Sequence, residues 1–485
     1  MTIGLTELEG RDVLVTGWGV SGKALIEPLR RLGARITVTD ANFTSRAEAS
    51  ALGLGTATAE DLVVPGAIDE FAVVITSPGW RPDSPVLAAA AAGHIPIWGD
   101  VEFSWLVDQA QLYGPTRRWL VVTGTNGKTT TTSMLASILE SASIPNAACG
   151  NIGLPVLDAL RRPGPRAEVL AVELSSFQLH WAPSVHPDGG VVLNIAEDHL
   201  DWHGGMAGYV DAKSRALSGK VGIVGLDDAP AAALADVSHA ERTVGFRLGE
   251  PELGELGVWG GQLLDRAFGD DEVLASVGEI SPAGPAGVLD ALAAAALARS
   301  IGIAPAKVRE GLRKFSVGPH RAELVRELGG VAFIDDSKAT NPHAARSSIL
   351  AHPRVVWLAG GLLKGASVDE LVAEVADRLA AVVLIGRDAI QIAQALARHA
   401  PDVPVVRVGA GDDAGVNQTQ TADNPDVIMA AAVHVAAGLA HDGETVLLAP
   451  AAASLDMFRD YGHRGDSFTN AVAALAVGDV GRSAR

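Results

Sequence analysis

Short runs of β-branched residues alternate with alanine- and leucine-rich segments of helical length along most of the chain. This order of elements is typical of parallel sheets whose successive strands are connected by helices. We therefore predict an α/β fold. Sheets of this kind host many unrelated functions, so the alternation alone indicates no chemistry. The ten predicted strands are Val13–Thr16, Ile36–Thr39, Val73–Thr76, Leu120–Thr123, Val169–Leu174, Gly190–Asn194, Val355–Leu358, Val382–Ile385, Val405–Val408 and Val446–Leu448.

The chain has 485 residues, which suggests about three domains at roughly 150 residues each. Two segments interrupt the alternation. Tyr113–Thr116 precedes a new strand, and Gly318-Pro319 follows an amphipathic stretch. The predicted domains are 1–106, 107–317 and 318–485.

The charge balance excludes several classes of protein. Lys and Arg total 38 against 57 Asp and Glu, a net charge of −19. Phosphate groups would repel such a surface, so we expect neither nucleic-acid binding nor attachment to an anionic membrane. Residues 221–300 hold thirteen acidic and four basic side chains, which concentrates the negative charge there. We expect small-molecule partners and a monomer.

The compartment is predicted from three features. A single cysteine, Cys149, excludes an internal disulfide and favours a reducing environment. The N-terminus lacks a basic region followed by an apolar one, and no apolar run reaches the roughly 18 residues of a membrane span. We therefore expect a cytoplasmic protein. The acidic and polar stretch Gly409–Asp426 is predicted to be a solvated loop.

The strongest local motif follows the strand at Leu120–Thr123. A glycine turn leads into Gly127-Lys128-Thr129 and then into a helical segment. Backbone N–H groups of such a loop surround phosphate oxygens, the lysine reaches the terminal phosphates, and the threonine hydroxyl can bind Mg²⁺. Val122 stands where the standard P-loop has glycine, and Gly124 supplies the flexibility instead. The motif predicts an ATP site.

A second glycine motif, Gly17–Gly22, follows the first predicted strand. Asp40 ends the next strand, 18 residues beyond Gly22. The spacing is that of a dinucleotide-binding turn, in which glycines admit a pyrophosphate and the acid reaches a ribose hydroxyl. Taken alone, the motif predicts only that a diphosphate-linked nucleoside could bind.

Acidic and histidine side chains follow two later strands. Glu173 ends the strand that lies 45 residues after Lys128, and His199 stands in the polar segment Asn194–Asp201. Because the carboxyl ends of parallel strands share one edge of a sheet, both residues should lie near the P-loop. Carboxylate and imidazole groups could hold a cation beside ATP there.

In these motifs the chain resembles the Mur ligase family of peptidoglycan precursor enzymes. The resemblance implies a Rossmann-like N-terminal domain, a central P-loop-type ATPase domain and a Rossmann-like C-terminal domain. The matching segments stand in the order of the family and span all three predicted domains: Thr123–Thr130, Gly150–Gly153, Glu173–Leu179, Asn194–Asp201, Lys213, Pro319–Arg321, Asp335–Asn341 and Pro450–Phe468.

The resemblance implies ATP-dependent amide formation. The N-terminal glycine turn and the segment Ala453–Tyr461 point to the branch that adds D-glutamate to UDP-N-acetylmuramoyl-L-alanine. A substrate carboxylate would become an acyl phosphate, which the amine then attacks. The residues that the resemblance assigns to ATP are Gly124, Thr125, Asn126, Gly127, Lys128, Thr129, Thr130, Arg321 and Asp336.

The resemblance also implies two Mg²⁺ sites. The implied metal residues are Thr129, Glu173, His199 and Lys213, the last as a carbamylated lysine whose ammonium has become an anion. The implied catalytic set consists of three of these metal residues and two further lysines: Lys128, Glu173, His199, Lys213 and Lys338.

The other two substrates are assigned in the same way. The UDP-substrate residues implied are Gly19, Val20, Ser21, Asp40, Asn151 and His199. The D-glutamate residues implied are Thr340, Lys364, Ser454, Leu455 and Tyr461. Since three domains would share one reaction, the C-terminal domain is expected to close on ATP.

One departure from the family pattern concerns the adenine. Asp290 stands where the family often has an asparagine, and Gly287 lies near a second such position. Adenine contacts at these positions are therefore in doubt.

Three alternatives stay open. Another Mur-type or folylpolyglutamate-type ligase would share the acyl-phosphate chemistry, although the second is expected to lack the uridine-type N-terminal domain. An NAD-dependent oxidoreductase would explain Gly17–Gly22 but would leave Lys128 and Glu173 without a role. A non-catalytic nucleotide-binding regulator would keep the P-loop but would not need Lys213 or Lys364.

Overall fold

The computed structural model describes residues 4–409 and 424–481. The segment 410–423 of the predicted loop at Gly409–Asp426 lies outside this part of the chain. This part of the chain forms two compact units. The first comprises residues 4–195 and 199–315, and the second comprises residues 196–198, 316–409 and 424–481. The domain boundaries at 106/107 and 317/318 stay predictions.

The first unit opens with a five-stranded, wholly parallel sheet in the order β3-β2-β1-β4-β5. Its strands are β1 Asp12–Thr16, β2 Arg35–Thr39, β3 Gly55–Thr56, β4 Phe71–Thr76 and β5 Ile97–Gly99. The accompanying helices are α1 Val20–Ala24, α2 Ile26–Arg31, α3 Phe43–Ala51, α4 Ala59–Leu62, α5 Pro85–Ala92 and α6 Asp100–Gln109.

The second sheet of this unit has nine strands in the order β14-β13-β12-β11-β10-β9-β6-β8-β7. Its strands are β6 Arg118–Thr123, β7 Asn146–Gly150, β8 Val169–Glu173, β9 Gly189–Val192, β10 Val221–Gly225, β11 Arg242–Phe246, β12 Glu255–Trp259, β13 Gln262–Asp265 and β14 Glu272–Ser276. The helices are α7 Lys128–Ser141, α8 Val156–Arg161, α9 Ser176–His180, α10 Leu200–His203, α11 Met206–Ser214, α12 Ala229–Ala232, α13 Pro285–Ser300 and α14 Pro305–Lys314.

Strands β6 to β12 of this sheet pair in parallel, whereas β12, β13 and β14 form antiparallel pairs at one edge. Only β6, β8 and β9 of this sheet were predicted from the sequence; the other six strands, these last three among them, were not. Helix α13 covers the sheet from one side, and its run from Ala291 to Ala298 is fully buried. Small alanine side chains let a helix pack close to a sheet, so this run belongs to the core.

The second unit contains a six-stranded sheet in the order β15-β16-β20-β17-β18-β19, in which only β15 pairs antiparallel. Its strands are β15 Glu323–Leu328, β16 Val331–Asp335, β17 Val355–Gly360, β18 Leu379–Ile385, β19 Val405–Arg407 and β20 Thr445–Leu448. The helices are α15 Pro342–Leu350, α16 Asp369–Val375, α17 Ala389–His399, α18 Pro425–Leu439 and α19 Tyr461–Ala473.

The α/β fold predicted from the sequence is confirmed, and every predicted strand overlaps an observed strand. One hydrophobic core joins the first two sheets, because side chains such as Val15 of β1 and Val121 of β6 belong to the same buried cluster. None of the described helices is both long and apolar enough to cross a membrane.

Candidate active site

The glycine loop between β6 and α7 has the backbone of a phosphate-binding turn. Gly124 and Gly127 have φ of 157° and 84°, and Lys128 begins the helix directly after Gly127. A Cβ on Gly127 would lie 2.2 Å from Oδ1 of Asp290. Glycine is therefore required there, and it is followed directly by the N-terminus of α7, a position that favours anions.

Asn194, which follows β9, holds this loop in place. Its side-chain Oδ1 accepts a hydrogen bond of 2.9 Å from the Asn126 N–H, and its backbone oxygen accepts one of 2.9 Å from the Thr125 N–H. Its amide nitrogen donates to the Asn126 carbonyl at 3.2 Å. No individual role was predicted for this residue, although an asparagine at a strand end beside a glycine loop is a usable signal.

Two lysines converge on the same loop. Lys128 Nζ donates to the backbone oxygens of Gly124 and Thr125, both at 2.9 Å. Lys213 Nζ, on α11, donates to the Gly124 oxygen at 2.7 Å, and Lys213 is only 1% exposed. The ring of Tyr209 lies 4.7 Å from this ammonium. The ammonium of Lys128 beside this turn makes it favourable for a phosphate anion.

Glu173 lies beside the loop because of sheet register. Strand β8 pairs with β6 and places Glu173 opposite Val122. The carboxylate is 1% exposed; its Oε1 accepts a hydrogen bond of 2.9 Å from Asn151 Nδ2. Among the described residues, its Oε2 has no hydrogen-bond partner. A buried carboxylate oxygen with no donor fits a divalent cation, which takes oxygen ligands.

His199 stands at the start of α10 in the left-handed conformation, with φ of 53°. Its ring lies 4.6 Å from the ring of Phe177, which also packs against Trp202 and His203. This aromatic cluster fixes the orientation of the imidazole. Phe177 lies in α9, which begins three residues after Glu173. Through Phe177, the cluster therefore places His199 next to the element that follows Glu173.

The N-terminal glycine turn is tightly built. A Cβ on Gly22 would lie 2.0 Å from the Gly17 carbonyl oxygen. Asp40 accepts hydrogen bonds of 2.8 Å from the backbone N–H groups of Trp18 and Asn42. Asp40 therefore closes the turn itself. Of the other implied UDP residues, Gly19 and Val20 are exposed, Ser21 is half-buried, and Asn151 is exposed beside Glu173.

In the second unit, two adjacent acids at the end of β16 support the segment around Arg321. His320 Nδ1 and Asp335 Oδ2 lie 2.7 Å apart, and Asp335 is fully buried. Burial raises the pKa of Asp336 to about 6, although contacts with Ser348 and the Ala322 backbone favour its charged form. Arg321 thus stands between two residues held by these carboxyl groups.

Most of the implied D-glutamate residues stand on two loops that are bonded together. Leu362 and Ala453 exchange backbone hydrogen bonds of 2.8 and 2.9 Å, which brings the loop carrying exposed Lys364 beside buried Ser454. Leu455 is 66% exposed. The five implied residues are Thr340, Lys364, Ser454, Leu455 and Tyr461.

Lys338 connects these loops to the acids of β16. Its Nζ lies 3.9 Å from the centre of the Tyr461 ring, a cation–π contact. Its backbone N–H donates to the His320 oxygen at 3.1 Å. Thr340, whose N–H donates to the Lys338 oxygen at 2.8 Å, follows in the same turn.

The two positions doubted for adenine have structural roles. Asp290 Oδ1 accepts a hydrogen bond of 3.1 Å from Thr131 in α7. A Cβ on Gly287 would lie 1.9 Å from the carbonyl oxygen of Pro282. Asp290 therefore supports the start of the P-loop helix, and Gly287 allows a close backbone approach.

Comparisons with known proteins define the class. Residues 122–261 match the model of the Mur ligase middle domain, and residues 320–452 match that of the Mur ligase glutamate ligase domain. The UDP-N-acetylmuramate-alanine ligase of Thermotoga maritima has the same fold: TM-score 0.56, 18% identity, with 96% of this chain and 99% of that chain covered. A MurF ligase from Thermotoga maritima, solved in complex with ADP, gives a TM-score of 0.54 at 17% identity over 98% of each chain. The class is that of the ATP-dependent Mur ligases.

Curated relatives narrow the class further. A UDP-N-acetylmuramoylalanine–D-glutamate ligase of Nocardia farcinica is 67% identical, covering 98% of this chain and 99% of the relative. The enzyme of that name from Rhodococcus jostii is 65% identical over 99% of both chains, and that of Mycolicibacterium smegmatis 56% over 97% of both. The chain belongs to the UDP-N-acetylmuramoylalanine–D-glutamate ligase branch of the Mur ligase family.

Proposed function

We propose that this chain joins D-glutamate to UDP-N-acetylmuramoyl-L-alanine and couples the reaction to ATP hydrolysis. The observation that carries the proposal is its 67% identity, over nearly the whole length of both chains, to a ligase of that name. The phosphate-binding loop at Gly124–Thr130 supports it, because amide formation from a carboxylate needs a phosphoryl donor.

The chemistry requires activation of a carboxylate, whose oxygen is a poor leaving group. The UDP-substrate carboxylate attacks the γ-phosphorus of ATP, ADP leaves, and an acyl phosphate forms. The amine of D-glutamate then attacks the acyl carbon, inorganic phosphate leaves with the C–O electrons, and the nitrogen loses a proton to solvent as the amide forms. Two anions approach each other in the first step, so positive groups must neutralise their repulsion. In this proposal Lys128 binds the phosphates of ATP in the first unit, and Arg321 and Asp336 bind the nucleotide in the second.

The residues around the loop fit a divalent cation. The buried, unbonded oxygen of Glu173 supports this, and Thr129, His199 and a modified Lys213 complete the proposed donors for two Mg²⁺ ions. Bound Mg²⁺ would supply neutralisation of phosphate charge. The hydrogen bond from Asn151 holds the other oxygen of this carboxylate.

We propose that Lys213 is carbamylated. CO₂ adds to the neutral amine, a proton leaves, and the ammonium is replaced by a carbamate anion that can bind a cation. The support is its resemblance to a family lysine together with its burial beside Gly124. Lys213→Ala should abolish turnover, and a short carboxylic acid such as acetate should restore part of it.

The matched control is Lys220→Ala, whose ammonium pairs with Asp188 on the surface. It should keep full activity and gain nothing from acetate. If acetate fails to restore folded Lys213→Ala, the carbamate proposal is wrong.

The remaining substrates follow the family resemblance. The turn at Gly19–Ser21 with Asp40, Asn151 and His199 is proposed for the UDP substrate, and Lys364 is the proposed cation for a D-glutamate carboxylate. We propose further that the second unit closes on ATP during the reaction.

The test is phosphate release from ATP. Activity should require both UDP-N-acetylmuramoyl-L-alanine and D-glutamate, and L-glutamate should not replace the D-isomer. Release with UDP-N-acetylmuramate and L-alanine would contradict the proposed substrates. Oxidation of NADH would contradict the proposed class of reaction.

A further inference from the structure

Arg464 is a buried arginine in the second turn of α19, directly beneath the loops proposed for D-glutamate. It is 1% exposed, although arginine is one of the residues least often fully buried. An arginine in a helix is usually solvated, and no role was predicted for Arg464 from the sequence. Arg464 is buried because three loops, which are distant from one another in the sequence, fold over its side chain.

The guanidinium bonds all three loops at once. Its Nε donates to Ser337 Oγ at 3.0 Å and its Nη2 to the Ser337 backbone oxygen at 2.8 Å. Its Nη1 donates to the backbone oxygen of Ala452 at 3.0 Å and more weakly to that of Gly360 at 3.4 Å. The planar guanidinium of Arg464 therefore connects the loops that follow β16 and β20 with the end of β17.

Each bonded residue lies one to four residues before a proposed catalytic or D-glutamate residue. Ser337 precedes Lys338, Ala452 stands two residues before Ser454, and Gly360 stands four before Lys364. The same Ser337 hydroxyl donates to the backbone oxygen of Tyr461 at 2.7 Å. The network therefore fixes the relative positions of the proposed D-glutamate groups.

The charge of Arg464 is not neutralised by direct pairing. Among the described residues, no carboxylate lies within hydrogen-bonding distance of its guanidinium, and Asp456 and Asp335 act on it only from farther away. Desolvation lowers the pKa of Arg464 to about 10, so it stays protonated at neutral pH. A positive charge beneath the site favours an anionic amino acid such as glutamate.

We propose that Arg464 is a positioning residue for the acceptor amino acid: it holds the three loops of the D-glutamate site in register and adds positive potential beneath them. This inference rests on the proposed function. Lysine cannot replace it, because an ammonium is a compact point donor and cannot reach three loops in fixed directions.

The test compares Arg464→Lys with a matched control, Arg326→Lys. Arg326 also donates to backbone oxygens of the second unit, including that of Leu475 at 3.0 Å, away from the proposed site. Arg464→Lys should raise KM for D-glutamate at least tenfold and leave KM for ATP within twofold. Arg326→Lys should leave both constants within twofold, even if its melting temperature falls.

Two further variants keep the proposal falsifiable. Arg464→Ala should regain affinity for D-glutamate when millimolar guanidinium is added, which a purely structural loss would not show. Ser337→Ala, which keeps the arginine but removes one acceptor, should raise KM for D-glutamate severalfold if Arg464→Lys does not fold. Unchanged KM in the folded variants would overturn the inference, whereas wild-type enzyme without D-glutamate-dependent phosphate release would overturn the proposed function instead.

Discussion

Asp336 shows how burial changes the behaviour of a single carboxyl group. Its pKa is raised from 3.8 to about 6, chiefly by desolvation. Between these values the folded chain holds a proton that the unfolded chain has lost. The stabilising contribution is therefore present at low pH and is lost as pH rises through about 6.

The corresponding prediction concerns Asp336→Asn, in which a neutral amide replaces the protonated acid. The melting temperature of the wild type should fall relative to that of the variant as pH increases from about 4 to about 7. Scanning calorimetry of both proteins across this range measures the difference. A constant difference between the two would mean that Asp336 has an ordinary pKa.

The positions of candidate residues were predictable from the sequence only where the residue itself stands in a local motif. Lys128 and Glu173 stand in local motifs, and sheet register alone brings them to one edge. Arg464 was not predictable, because its partners Ser337, Ala452 and Gly360 become neighbours only through long-range folding. Asp40 was predictable as part of the turn, but its bonds to backbone N–H groups were not.

At the scale of elements, ten of the twenty described strands were predicted, because many parallel strands buried on both faces are continuous apolar runs. Other parallel strands, such as β10 and β16, were not predicted. The antiparallel edge strands β12, β13 and β14 were not predicted, because their apolar runs are short and are interrupted by polar residues. A signal was present: Gly260-Gly261 between Trp259 and Gln262 is a two-residue hairpin turn.

The loop between β6 and α7 gives a prediction about an element. Gly127→Ala would force a side chain into left-handed backbone, with φ of 84°, and against the carboxylate of Asp290. Nucleotide affinity should fall tenfold or more, about 1.4 kcal/mol. Titration of a fluorescent ATP analogue measures it.

Gly53→Ala is the matched control for this substitution. Gly53 also has positive φ, 74°, but no atom lies within 4 Å of its added Cβ. It should lose about 1 kcal/mol of stability from backbone strain alone and bind nucleotide normally. Equal losses of affinity in both variants would refute the steric argument.

At the scale of the whole molecule, the net charge of −19 has to be reconciled with the binding of anionic substrates. ATP, the UDP substrate and glutamate are all anions, which a uniformly acidic protein would repel. About half of the acidic excess, −9 of −19, lies in residues 221–300, whereas Lys128 stands at the loop and Arg464 lies beneath the acceptor site. Net charge therefore describes the outer surface, and local cations govern binding.

The proposed sharing of substrates between two units leads to a prediction for the whole chain. If the first unit binds ATP and the UDP substrate while the second binds glutamate, ligand binding has to bring the units together before amide formation. Small-angle scattering should record a smaller radius of gyration with a non-hydrolysable ATP analogue and UDP-N-acetylmuramoyl-L-alanine than without them. Lys128→Ala, which loses the phosphate contact, should keep the larger radius under the same conditions. An unchanged radius in the ligand-bound wild type would rule out closure.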